Sequence, residues 1–108
     1  MPRVTPIATK EDFEEKVKKA EASKLVVVDF FATWCGPCKY ISPKLEAMSD
    51  EFMDVLFFKV DVDEVADLAE DLMIQAMPTF QFWKSGEKKT EFSGANEENL
   101  RKFIEDNK

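Results

Sequence analysis

The 108-residue chain contains no histidine, only two cysteines and only three glycines. A zinc site in one chain needs about four nitrogen or sulfur ligands, and two cysteines without histidine do not provide them. Two cysteines are also too few for the disulfide framework of a small secreted protein. No glycine-rich nucleotide fingerprint is present. We therefore expect no bound metal, no bound nucleotide and no fold that depends on disulfides.

Long hydrophobic runs are missing as well. Nowhere do 18 apolar residues follow one another, and the first residues, MPRVTPIATKEDF, lack the apolar stretch of a signal peptide. We expect a soluble cytoplasmic protein that does not contact membranes. The length and the 44% hydrophobic content predict a single domain over residues 1–108 with one core.

Basic residues are scarce in the second half of the chain. The formal net charge is −7, and the charges balance within residues 1–50, so the acidic excess lies in residues 51–108. Every charged residue between Val60 and Trp83 is acidic. Such a surface repels a polyphosphate, so nucleic-acid binding is not expected. A solvated face that maintains solubility is the simplest interpretation, and a role in selecting partners is the alternative.

The hydrophobic pattern alternates between strand and helix signals. Helices are predicted at residues 10–21 after the cap Thr9, at 35–53 with Pro43 inside, at 65–72, and after the cap Asn96. Strands are predicted at 4–7, 25–31, 55–61, 79–83 and 90–93, with a turn at Ser85-Gly86. This order predicts an α/β fold with helices on both faces of a mixed sheet. Strands separated by helices are expected to be parallel, and the last two antiparallel.

Both cysteines lie in the segment ATWCGPCK, residues 32–39. Three interpretations are open: a metal cluster shared between two chains, a structural disulfide, or a redox pair. A disulfide across so short a loop stabilises a fold by only about 2 kcal/mol, which makes a purely structural role a weak explanation. A redox pair accounts for more of the surrounding residues.

The predicted helix begins at this motif. Cys35 lies at the helix N-terminus, where unpaired N–H groups and the helix dipole favour a thiolate, so Cys35 is the expected nucleophile. Cys38, one turn later, is expected to lie deeper beneath it. Gly36 leaves room for a substrate backbone, and Pro37 is suited to the first helical turn.

Asp29 is an acidic residue within the apolar strand LVVVDFF. Burial would raise the pKa of its carboxyl group and make it a proton acceptor near neutral pH. The alternative is a strand edge, with the carboxylate in water.

The segments VVVDFFATWCGPCK, KVDVDE, MPTFQFWKSGE and FSGAN resemble the thioredoxin family over essentially the whole chain. The resemblance implies a central mixed five-stranded sheet flanked by four helices. It also implies dithiol-disulfide exchange: a protein disulfide reductase of cell redox homeostasis that carries electrons to protein disulfides and is itself reduced by thioredoxin reductase. NADPH would act only through that reductase.

The resemblance also implies roles for individual residues. Cys35 resembles the attacking cysteine and Cys38 the resolving one, with Asp29 receiving the proton of Cys38 and Lys59 pairing with Asp29. Pro78 resembles a cis-proline that faces the cysteines. The substrate-docking residues would be Trp34, Gly36, Pro37, Met77, Pro78 and Gly94. A surface lysine at 59 and a simple turn glycine at 94 are the alternatives.

The implied partners are thioredoxin reductase and oxidised proteins such as peroxiredoxin-like or reductase enzymes. The resemblance also implies that the protein is a monomer. Phe31 departs from the family pattern, because many members carry tryptophan there. Two other functions remain open on this fold. One is an oxidant or isomerase of disulfide folding, which acts in secretory compartments; the other is a binding module in which the cysteines are incidental.

Overall fold

The computed structural model describes residues 3–108 and contains one five-stranded sheet with the strand order β1-β3-β2-β4-β5. The strands are β1 Val4–Pro6, β2 Val26–Phe31, β3 Leu56–Asp61, β4 Thr79–Lys84 and β5 Glu87–Ser93. The helices are α1 Lys10–Phe13, α2 Gly36–Glu51, α3 Ala66–Asp71 and α4 Glu97–Asn107. The predicted mixed sheet of five strands with four helices is confirmed.

The core lies on both faces of the sheet because the central strand β2 is buried on both. Successive side chains of a strand point to opposite faces. Val27 accordingly packs with residues of α2 and α4, whereas Val28 packs on the other face with residues of α1 and α3. The run of consecutive apolar residues in β2 therefore marks a strand covered by helices on both sides, as predicted.

The first helix is shorter than the predicted 10–21. Thr9 caps it as expected, since its side chain accepts a hydrogen bond from the Asp12 N–H at 3.0 Å. After Phe13 the chain continues as a π-helical segment, Glu14–Lys18, which ends where the Lys19 N–H donates to the carbonyl of Glu14. This wider final turn stops the helix three residues early.

The direction of β4 differs from the expectation that strands separated by helices are parallel. β4 pairs with β2 and runs antiparallel to it, while β1, β3 and β2 are parallel. The physical reason is the length of α3, whose six residues span only about 9 Å. A six-residue strand spans about 20 Å, so α3 does not return the chain to the far end of the sheet. β4 therefore starts at the end where β2 and β3 finish.

Arg3 secures the C-terminal end of α2. Its guanidinium group donates to the carbonyls of Ser49 and Phe52, and its backbone N–H donates to the buried hydroxyl of Ser49. The last carbonyls of a helix have no partner within the helix, so a positively charged donor is favourable there. Among residues 3–108, no helix has the length and apolar character that crossing a membrane requires.

We expect Arg3→Ala to lower the free energy of unfolding by about 2 kcal/mol, because it removes charge-assisted hydrogen bonds from half-buried carbonyls. Urea denaturation measures this change. Arg3→Lys keeps the charge but loses the forked geometry, so it should recover only part of the loss. Full recovery with lysine would show that charge alone, and not the paired donors, stabilises this helix end.

Candidate active site

Both cysteines lie at the start of α2. The helix begins at Gly36, so Cys35 is its N-terminal cap, as predicted from the sequence. The Sγ atom of Cys35 lies 3.1 Å from the N–H of Cys38 and accepts its hydrogen bond. Pro37 occupies the first turn, where its missing N–H leaves no bond unmade. A helix N-terminus thus directs an N–H group and its positive dipole end at the sulfur of Cys35.

Cys35 and Cys38 form a disulfide, with their Cα atoms 5.3 Å apart. Cys35 is 6% exposed and Cys38 3%, and both pack with Ala32 against Phe31 and Met77. Gly36 and Pro37 are exposed beside them, and a Cβ built on Gly36 would meet no atom within 4 Å. The space over Gly36 is therefore open to an approaching chain. Within residues 3–108, no group of three or more possible metal ligands is assembled.

The segment before β4 lies beside Cys35. The carbonyl oxygen of Met77 lies 3.7 Å from the Sγ of Cys35, although the two residues are 42 positions apart in the chain. The Met77–Pro78 peptide bond is cis, as the resemblance implied, and Pro78 is buried. The structure therefore brings Met77 and Pro78 to the cysteine pair.

Gly94 is connected to this segment by a backbone hydrogen bond. Its N–H donates to the carbonyl of Pro78 at 2.9 Å, and its φ of +110° lies in the region that favours glycine. A Cβ at Gly94 would meet no atom within 4 Å, so the backbone conformation and not crowding calls for glycine here.

A cavity of about 290 Å³ is lined by both Cys38 and Asp29. Asp29 is 4% exposed, and its Oδ1 has no hydrogen-bond partner among the described residues. Burial raises the pKa of Asp29 to about 7, and the positive charge of Lys59 opposes this rise only in part. The buried position predicted for Asp29 is confirmed, and the strand-edge alternative is wrong.

Lys59 lies next to Asp29 on the neighbouring strand, since the two are register partners on the parallel strands β2 and β3. Lys59 is half-buried and lines the same cavity. Among the ion pairs of residues 3–108, none joins Lys59 to Asp29. Its charge acts on Asp29 from a distance. The cavity also touches Cys38, Phe31 and Ser42.

Trp34 has a partner that the motif did not reveal. Its ring is 68% exposed, and its indole N–H donates to Oδ2 of Asp63 at 3.0 Å. Asp63 belongs to the loop between β3 and α3, where its own N–H donates to Oδ1 of Asp61. The acidic run was visible in the sequence, but its contact with Trp34 depends on the pairing of β2 with β3. Ser42 was not predicted as a site residue, although it lines the cavity with Asp29 and Cys38. A serine at this position of α2 carries no chemical signal in the sequence.

Comparison with known proteins places this geometry in a family. The family model described as Thioredoxin matches residues 4–106. The chain belongs to the thioredoxin family. It is 53% identical to the thioredoxin of Geodia cydonium over 103 residues, covering 94% of this chain and 96% of the relative. The thioredoxin of Gallus gallus is 54% identical over 93 residues, 86% of this chain and 88% of the relative.

Solved structures agree with this assignment. The thioredoxin of Fasciola hepatica superposes with a TM-score of 0.94 at 46% identity, covering 97% of this chain and all of that one. A second solved structure is 36% identical and superposes with a TM-score of 0.89, covering 98% of this chain and 99% of that chain. That structure is described by the thiol-resolving mechanism in yeast mitochondrial 1-Cys peroxiredoxin via glutathione/thioredoxin systems.

Thioredoxins are thiol-disulfide oxidoreductases, and the cysteine pair that defines them is present here as Cys35 and Cys38. This chain is accordingly a dithiol-disulfide reductase. Proteins of the thioredoxin family act on disulfide substrates and are reduced by thioredoxin reductase. The redox-active group is the protein's own disulfide.

Proposed function

We propose that this protein reduces disulfides in partner proteins, with Cys35 as the nucleophile and Cys38 as the resolving residue. One observation carries the assignment: the Sγ of Cys35 caps α2 and accepts the N–H of Cys38. The same N–H and the helix dipole would stabilise a thiolate at Cys35 in the reduced protein. Cys38 lies one turn inside the helix and is the more buried of the two.

In the first step the Cys35 thiolate attacks one sulfur of the partner's disulfide. A bond forms between Cys35 and that sulfur, and the partner's other sulfur leaves as a thiolate that takes up a proton from water. In the second step Cys38 loses its proton and attacks the sulfur of Cys35. The mixed disulfide breaks, the partner's second thiolate leaves and is protonated, and Cys35 and Cys38 end as a disulfide. Two electrons pass to the partner.

Asp29 is the proposed acceptor of the Cys38 proton. Both residues line the same cavity, and Oδ1 of Asp29 has no hydrogen-bond partner among the described residues. A carboxyl group with a pKa of about 7 can take up and release a proton near neutral pH, as general base catalysis requires. Lys59 is proposed to tune this pKa through its charge, because it lowers the pKa without a direct ion pair.

The partner is proposed to bind as an extended segment along Met77. The backbone of Met77 lies beside Cys35 and can hydrogen-bond to such a segment, as in recognition by strand addition. Trp34, Gly36 and Pro37 are exposed next to Cys35 in the chain and are proposed to contact the segment. Pro78, which follows Met77, and Gly94, which is joined to Pro78 by a backbone hydrogen bond, are proposed to form the rest of the docking surface.

The remaining parts of the cycle follow from the family. We propose that NADPH supplies the electrons through thioredoxin reductase, and that residues 1–108 act as one domain and as a monomer. We propose the cytoplasm as the location, because a dithiol reductant stays reduced only in a reducing compartment. Peroxiredoxin-like enzymes are proposed partners, in line with the similar structure described by a peroxiredoxin-resolving mechanism.

The reduction potential of the Cys35–Cys38 couple tests this function. The protein is equilibrated in graded thiol-disulfide buffers, and the reduced fraction is read by alkylation and mass. Thioredoxin itself has a known potential of about −270 mV and protein disulfide isomerase about −180 mV, which serve as reference points. We expect a value near the first, and turnover with thioredoxin reductase and NADPH.

A potential near −180 mV would instead indicate an oxidant or isomerase. A protein without a reversible couple would be a binding module. The double variant Cys35→Ser/Cys38→Ser separates the last case, because a binding module keeps its effect without the cysteines and a reductase loses it.

A further inference from the structure

The cavity that Cys38 lines extends from the interior of the protein to solvent. Its volume is about 290 Å³, and its lining includes the buried Asp29 and Ala32 as well as the exposed Thr33 and Lys39. A cavity of about 150 Å³ is already large enough to hold benzene. The cavity therefore has both the room and the opening to admit a small organic molecule.

Positive charge prevails in this cavity. Both Lys39 and Lys59 line it, and among residues 3–108 neither takes part in an ion pair, whereas Lys44, further along α2, is paired with Glu97 at 3.9 Å. Asp29 is the one acid among the described residues of the lining, and because burial raises its pKa to about 7, its carboxyl group is largely neutral below that pH. The cavity is therefore positive, although the whole chain has a formal net charge of −7.

Asp29 also brings an unused hydrogen-bonding group to the cavity. It is 4% exposed, and its Oδ1 has no hydrogen-bond partner among the described residues. Buried polar atoms are nearly always hydrogen-bonded, so an unpaired one beside a cavity is suited to binding a ligand. Phe31 and Ala32 add apolar surface to the same lining. A matching molecule combines a polar group that reaches Asp29 with an apolar body.

We propose that the cavity binds a small carboxylate with an apolar body, whose charge is met by Lys39 and Lys59 and whose apolar part packs against Phe31. A carboxylate oxygen can accept the hydrogen bond that the neutral carboxyl group of Asp29 has to donate. Charge-assisted hydrogen bonds are stronger than neutral ones, and a few polar groups converging on an apolar pocket are the usual form of a small-molecule site. A cation would be repelled by the two lysines.

A bound carboxylate would slow the second step of the reaction. Its negative charge stabilises the protonated form of Asp29, which then cannot accept the proton of Cys38, so the mixed disulfide persists for longer. This consequence rests on the proposed function, because Asp29 is the proposed proton acceptor. The binding does not rest on it, and it is measured on the oxidised protein, in which the cysteines are joined as a disulfide.

Benzoate is the probe, and benzamide is the control because it has nearly the same shape without the charge. Each is titrated into the isotopically labelled oxidised protein at about pH 6, and the NMR signals of the backbone amides are followed. We expect benzoate to bind with a Kd of about 1 to 10 mM, as suits so small a ligand, and to shift the signals of Ala32, Lys39 and Ser42. Benzamide should bind at least about fivefold more weakly. Equal binding of the two, or no saturable shift at the lining residues, would overturn the inference.

Two variants show whether benzoate occupies the cavity. Phe31→Trp places a larger ring in the lining, and Lys39→Gln removes one of the two positive charges at an exposed position. We expect each to weaken binding about fivefold. Lys44→Gln is the matched control, because it removes the same charge from the same helix outside the lining, and it should bind as the wild type does. If Lys44→Gln and Lys39→Gln weaken binding equally, net charge alone attracts benzoate and the inference is wrong.

The pH dependence tests the contact with Asp29. Benzoate is ionised above about pH 6, whereas Asp29 loses its proton near pH 7 and then repels the ligand. The other charged groups of the lining are Lys39 on α2 and Lys59 on β3, and Cys38 is held in the disulfide. Binding to the wild type should weaken about 10-fold from about pH 6 to about pH 8. Asp29→Asn can donate the same hydrogen bond and should bind benzoate equally at both; a wild type that shows no pH dependence would contradict the proposed contact.

Single-turnover reduction of insulin separates this site from the proposed function. At about pH 7 a saturating concentration of benzoate should slow the wild type about threefold and should slow Phe31→Trp less. If benzoate binds in the cavity and the rate stays the same, the binding site stands and the role of Asp29 as proton acceptor is wrong. If benzoate does not bind and insulin is still reduced, only this inference is wrong.

Discussion

Replacing Asp29 with asparagine is expected to stabilise the oxidised protein above pH 7, by up to about 4 kcal/mol. The reason is the cost of burying a negative charge, because Asp29 is 4% exposed and its pKa is raised to about 7 by burial. Asparagine has nearly the same shape and carries no charge at any pH.

The sign of the pH dependence follows from proton binding. The folded protein holds the Asp29 proton up to about pH 7, while the unfolded chain releases it near the ordinary value of 3.8. Between these pH values the folded state binds more protons, so its stability falls as the pH rises. The difference of about 3 pKa units, at about 1.4 kcal/mol each, sets the upper limit.

Urea denaturation of the oxidised wild type and of Asp29→Asn, from about pH 4 to pH 9, measures this difference. The two proteins should differ little at the acid end, and the variant should gain progressively toward pH 8. Asp106→Asn on exposed α4 is the control and should follow the wild type. If Asp29→Asn parallels the wild type at every pH, the carboxyl group does not titrate as its burial implies.

The two cysteine variants should fail at different steps. Cys35→Ser is expected to reduce insulin at no more than the uncatalysed rate, a loss of at least about 1000-fold, because the nucleophile at the start of α2 is gone. Cys38→Ser keeps that nucleophile but lacks the thiol that releases the partner. It should therefore accumulate as a mixed disulfide at Cys35.

Mass spectrometry under non-reducing conditions separates the two. Cys38→Ser should gain the mass of one insulin molecule, whose two chains remain joined by their second interchain disulfide, and reductant should remove it; Cys35→Ser should gain nothing. The matched control is the double serine variant. A stable adduct on Cys38 in the Cys35→Ser protein would reverse the assigned roles and contradict the more buried position of Cys38.

Most of the local structure could be predicted from local chemistry. The run from Leu25 to Phe31 is apolar on both faces and could only be a strand covered on both sides. Asn96 was identified as a cap because a short polar side chain precedes a helical pattern, and its side chain does accept the N–H of Asn99. The end of the first helix could not be predicted, because a widened final turn has no pattern of its own in the sequence.

The reactive groups of the active site could be identified from local sequence. The spacing of Cys35 and Cys38 at a helix start and the lone acid Asp29 in an apolar strand depend only on neighbours along the chain, so short-range rules were sufficient. Which distant groups lie next to them depends on how the strands pair. The six-residue α3 reverses the direction of β4 and brings Met77 to within 3.7 Å of Cys35, and the parallel pairing of β2 with β3 sets Lys59 opposite Asp29. These contacts depend on strand direction and register, which arise from the packing of the whole sheet and leave no mark in any short stretch of sequence.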